Sequence, residues 1–96
     1  MRDAPLNETE LATALQELPT WYVEAGKLAT RRQLASFLGA VAFVQQVAQV
    51  AEELDHHPDI DIRWRTVTLA VNTHDSGNAI TARDVELARR VDALSA

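Results

Sequence analysis

FLGAVAFVQQVAQVAEELDHHPDIDIRWRTVTLAVNTH, residues 37–74, changes its hydrophobic period part-way along, and that change decides the fold. Phe37, Val41, Val44, Ala48, Ala51 and Leu54 recur at three- and four-residue steps, which is the spacing of one helical face. A second row, Phe43, Val47, Val50 and Leu54, widens the stripe. The surplus fits either a broad core-facing helix or a contact with another subunit. Pro58 disfavours helical geometry in the residue before it, so the helix stops near His57. IDIRWRTVTLAVNTH, residues 60–74, then reads as a long strand region. Ile60, Ile62 and Trp64 share one parity and Val67, Leu69 and Val71 the other, so a bulge or bend near Arg65–Thr66 is expected.

Working outward, Asn7 with Glu10 has the form of a capping box, and Leu11, Ala14, Leu15 and Leu18 follow at helical spacing up to Pro19. TWYVEAGKLATRRQLAS, residues 20–36, reads as two short strands around a Gly26–Lys27 turn. Downstream, Thr81 with Asp84 forms another capping box, with Ile80 and Val85 as its hydrophobic staple. Val85, Ala88, Val91 and Leu94 form the apolar face of that last helix. The expected class is α+β: an antiparallel sheet of about four strands with three helices on one face, in the order α-β-β-α-β-β-α. The 96 residues form a single domain in this reading, with residues 1–5 disordered.

A chain of this size buries only roughly 60–70% of its unfolded surface, so association would help it. A net charge of -5, with arginines interspersed among acids, argues against a nucleic-acid surface. The absence of cysteine removes disulfides, thiolate metal sites and thiol nucleophiles. No apolar run approaches the ~20 residues of a membrane span, and the N-terminus lacks an apolar signal core. The expectation is a soluble, cytoplasmic protein.

Chemistry is confined to few residues. His56, His57 and His74 are the only histidines, and each stands at the end of an element, where functional side chains collect. Imidazole titrates nearest neutral pH, so a cluster of imidazoles offers both an acid and a base. Structural explanations stand beside this one. His56 and His57 also suit a helix C-terminus, and Asp84 suits a helix N-terminus. Glu52 lies one helical turn before His56.

In order, however, AEELDHHPDI, Trp64, VTLAVNTHD and ITARDVELA resemble the pterin-4a-carbinolamine dehydratase family. The resemblance runs from about Leu6 to Leu94, with Trp21, Phe37 and Phe43 where that family's aromatic landmarks fall. Three departures stand out. Gly77-Asn78-Ala79-Ile80 makes the turn one residue longer, Arg65 replaces the usual asparagine, and Leu34 and Ser36 replace an aromatic pair. The first two are expected near the site, the third in packing.

The resemblance implies dehydration of 4a-hydroxytetrahydrobiopterin to quinonoid dihydropterin and water, in tetrahydrobiopterin recycling, without metal or cofactor. It carries over His56, His57 and His74 as the acid/base set, His56 as base and the other two protonating the leaving hydroxyl. Glu52 and Asp84 would orient imidazoles or hold the pterin's amino-pyrimidine edge, and Thr73 would offer backbone groups to the ring. It also implies a homodimer or homotetramer. Two rival classes remain: a non-catalytic protein-binding or assembly module of the same fold, and a three-histidine zinc hydrolase or hydratase. Against zinc, adjacent histidines beside a proline are awkward joint ligands.

Overall fold

A computed structural model describes residues 4–94. The expected disorder over 1–5 falls on residues 1–3, outside the described residues, and on Ala4 and Pro5, which are exposed and irregular. The elements are α1 (Glu8–Glu17), β1 (Trp21–Glu24), β2 (Lys27–Gln33), α2 (Phe37–Leu54), β3 (Asp59–Arg63), β4 (Thr66–Val71) and α3 (Ala82–Asp92), with a short 3₁₀ turn at His74–Ser76. The strands form one antiparallel sheet in the order β1-β2-β4-β3. Side chains in β4 alternate between buried and half-buried, because the helices cover one face only. Val67, Leu69 and Val71 meet Leu28, Val47, Val50, Leu87, Ala88 and Val91 in one core.

Local chemistry explains the helix limits. Asn7 and Glu10 close a reciprocal capping box at α1, Ser36 caps α2 by accepting from the Gly39 N–H at 2.9 Å, and Thr81 and Asp84 close a second box at α3. In the third sequence departure, Ser36 is thus a helix cap and Leu34 packs against the core. At the other end of α2, Asp55 takes the left-handed conformation and the His56 N–H returns to the Ala51 carbonyl at 3.0 Å, a Schellman-type stop.

Two expectations are corrected. The long strand region of residues 60–74 is a hairpin, with Trp64 and Arg65 as a two-residue turn between β3 and β4. Arg63 pairs with Thr66, so Ile60 lies opposite Leu69 and Ile62 opposite Val67. Reversal of the chain, rather than a bulge, puts residues of opposite parity on one sheet face. Trp64 carries a φ of 54° there, which a residue with a Cβ adopts only at a cost of about 1–2 kcal/mol. In α2 the core-facing residues are Ala40, Phe43, Val47, Val50 and Ala51. Phe37 and Ala48 of the other row are exposed, and Val41 and Val44 half-buried. Sheet register selects the row, and periodicity alone does not carry that information.

Candidate active site

Three chain segments converge at the C-terminal end of α2. The Schellman stop ends the helix just before His56 and His57, which enter β3 through Pro58. The end of β4 delivers Asn72 and Thr73, and the 3₁₀ turn delivers His74 and Asp75. Arg83, from the first turn of α3, completes the lining with Asp55. Together these residues enclose a cavity of about 300 Å³, at the small end of the range for organic ligands. His56, His57 and His74 line it together, although 18 residues separate the first from the last.

Each imidazole is held by a different partner. His56 is 6% exposed, and its Nε2 lies 2.5 Å from Asp84 Oδ1. Asp84 is fully buried, and its Oδ2 accepts from the Thr73 hydroxyl at 2.9 Å and the Thr81 N–H at 2.8 Å. Thr73 and Thr81 are buried too, with their hydroxyls 2.7 Å apart. Buried polar groups are tolerated when they satisfy one another, as Asp84, Thr73 and Thr81 do here. His57 by contrast is exposed and pairs through Nε2 with the exposed Glu52. His74 Nδ1 lies 3.0 Å from Asn78 Oδ1, also in an exposed setting.

The candidate residues therefore divide. His56, His57, His74 and Thr73 face the cavity. Asp84 lies behind His56 with both carboxylate oxygens engaged by protein groups, so it orients an imidazole and has no free edge for a ligand. Glu52 stands at the rim, reaching the cavity through His57. The cavity also takes in Asp55, Asn72, Asp75 and Arg83, which the sequence did not single out as site residues, and Arg83 Nη2 donates to the Asp55 carbonyl at 2.8 Å. The lengthened Gly77–Ile80 turn, expected near the site, offered a signal for Asn78. That residue adopts a φ of 61°, puts its side chain on His74, and accepts at its carbonyl from Asn72 Nδ2 at 3.1 Å.

The expectation that Arg65 borders the site is overturned. It sits in the β3–β4 turn, at the far end of the six-residue β4 from Thr73, a separation of about 20 Å along the strand. There it stacks on Trp64 at 4.9 Å, and its Nε is buried without a partner. Among the described residues no three His, Cys, Asp or Glu side chains are grouped to hold a metal ion.

Fold and site define a class: a small α+β protein with a polar cavity at one end of an antiparallel sheet, lined by imidazoles and anchored by a buried His–Asp pair. Its sequence matches the family described as Pterin 4 alpha carbinolamine dehydratase over residues 4–94, and the chain belongs to that family of dehydratases. A Nocardia farcinica protein provisionally named pterin-4-alpha-carbinolamine dehydratase is 48% identical over 90 residues, covering 94% of each chain. A Streptomyces coelicolor protein with the same provisional name is 50% identical over 92 residues, covering 96% of this chain and 91% of its own. The crystal structure of a Brucella melitensis transcriptional coactivator/pterin dehydratase superposes with a TM-score of 0.85 at 33% identity, covering 93% of this chain and 96% of that one. Among the described residues no helix is long and apolar enough to cross a membrane.

Proposed function

We propose that the cavity dehydrates a pterin-4a-carbinolamine by histidine acid/base chemistry, within tetrahydrobiopterin recycling in the cytoplasm. The observation that carries the reading is the common cavity of His56, His57 and His74, with His56 alone tied to a buried carboxylate. Hydroxide is a poor leaving group, so the 4a-hydroxyl must be protonated as its C–O bond breaks and water departs. The adjoining ring N–H then gives its proton to a base while its electrons form the new C=N double bond. His56, braced by Asp84, suits the base. The exposed His57 and His74 reach the hydroxyl from the open side, with their partners Glu52 and Asn78 aligning them. Thr73 presents backbone to the ring's flank.

Each positioned proton-transfer group contributes on the order of 10²–10⁴ in rate. Replacing His57 with Ala removes one such group from an exposed position, so dehydration should slow by about that factor while the folded state persists. Stopped-flow dehydration of freshly made carbinolamine measures this, and full activity in His57→Ala would refute the assignment.

A protein-binding reading draws on a second observation. Phe37, Leu38, Ile60, Ile62 and Trp64 are large apolar side chains left exposed around the start of α2 and strand β3. Helix α2 is 18 residues long, so its N-terminal end lies about 27 Å from the histidines at its other end. Binding at the Phe37–Leu38 end is compatible with catalysis. In this reading the flank joins copies of the chain into a homodimer or homotetramer. Ile62→Glu should then lower the solution mass measured by light scattering, and a wild-type protein with the mass of one chain would end the idea.

A further inference from the structure

With Asp84 as an ionised carboxylate, the hydrogen bonds behind His56 run in one consistent direction. The Thr73 hydroxyl spends its proton on Asp84 Oδ2. The 2.7 Å contact between the two threonine hydroxyls therefore requires Thr81 to donate and Thr73 to accept. Thr81 Oγ1 in turn accepts from the Arg83 N–H at 3.2 Å, in the first turn of α3. The Thr81 N–H also points at Asp84 Oδ2, at 2.8 Å. Donors thus run in file from the N-terminus of α3 toward Asp84, which acts as acceptor throughout. As an ionised carboxylate, Asp84 also accepts at Oδ1, from His56 Nε2. With its proton on Nε2, a neutral His56 keeps a bare Nδ1. That atom has no protein partner and is not sealed from solvent, since the sole buried side-chain polar atom without a partner among the described residues is Arg65 Nε.

We propose that Thr81 is a positioning residue: through Thr73 and Asp84 it locks His56 in the Nε2–H tautomer and leaves Nδ1 as the proton acceptor of the site. Thr81 does not line the cavity, so it acts only through the chain of hydroxyls. One side chain then serves two ends, capping α3 and setting the proton inventory of an imidazole 25 residues earlier in the sequence. The use of Nδ1 as a catalytic base rests on the dehydration reading above. The tautomer does not.

The test is ring-nitrogen NMR of ¹⁵N-histidine-labelled protein, with His56 assigned through His56→Gln, together with steady-state kinetics. Wild-type His56 should show a protonated Nε2 and an unprotonated Nδ1, and the reverse pattern overturns the proposal. Thr81→Val should mix the two tautomers and lower kcat by roughly tenfold with KM little changed, since supporting groups of this kind act through the residue they orient. Thr81→Ser, which restores the hydroxyl, should recover both readouts. An unchanged His56 spectrum in folded Thr81→Val overturns the role of Thr81. Should that variant fail to fold, Thr73→Val breaks the same chain one link nearer Asp84 and leaves the α3 cap in place, and an unchanged spectrum there is equally fatal. A protein with the Nε2–H tautomer but no dehydration of carbinolamine defeats the function proposed above and leaves this inference standing.

Discussion

The two walls of the cavity are built differently. On the inner wall His56, Asp84, Thr73 and Thr81 are all less than 7% exposed, and their polar atoms bond one another. On the outer wall His57 is 56% exposed and its partner Glu52 76%, while the His74–Asn78 contact is likewise open to solvent. Hydrogen bonds gain strength and direction where water is excluded and lose both where it competes. The inner imidazole is therefore preorganised, and the outer two can adjust to a substrate as it enters. In the proposed dehydration, the fixed imidazole would serve as the base beside the ring and the adjustable pair as the acid that follows the departing water.

The comparison breaks most severely at Asp84. Replacement by Ala strands the His56 Nε2–H, the Thr73 hydroxyl and the Thr81 N–H in a site with no room for bulk water. Removing one partner of a buried pair costs about 3–5 kcal/mol, a large fraction of the stability of a small domain. The midpoint of urea unfolding should fall accordingly. A loss below about 1 kcal/mol, the level of an ordinary surface substitution, would show that the inner wall is not the rigid element argued here.

How much of this was readable in the chain follows from the range of each interaction. The two capping boxes are local: Asn7 with Glu10 and Thr81 with Asp84 are three residues apart, and both boxes form. The fold class and element order were equally legible, since hydrophobic period and Pro58 act over a few residues. The tight turn that divides residues 60–74 into β3 and β4 was not. Trp64–Arg65 lacks the Gly or Asn that marks such turns, in contrast to Ala25–Gly26, where both residues have positive φ and the glycine announced a turn, expected one residue later at Gly26–Lys27. At the site, residue types pointed to His56, His57 and His74, but spacing could not show that Asp84, 28 positions after His56, would hold it from behind. The same distance in sequence hid the difference between the walls. Adjacent histidines look equivalent in a string, yet the chain leaving the Asp55 turn buries one and exposes the next.

A smaller and sharper test lies on the outer wall, in the lengthened turn. Asn78 has a φ of 61°, a conformation that glycine adopts without strain. Its carbonyl keeps accepting from Asn72, and its N–H keeps donating to the Thr73 carbonyl at 3.1 Å, whatever the side chain. Asn78→Gly therefore deletes one thing, the amide oxygen that aligns His74. Stability should stay within about 0.5 kcal/mol, the range for exposed sites away from special features. Turnover should fall only a few-fold, because an exposed hydrogen bond contributes about 1 kcal/mol and His74 itself remains. Chemical denaturation and the stopped-flow assay measure the two effects. A loss as large as that of His57→Ala would mean that His74 is held as rigidly as His56, and the contrast between the walls would fail.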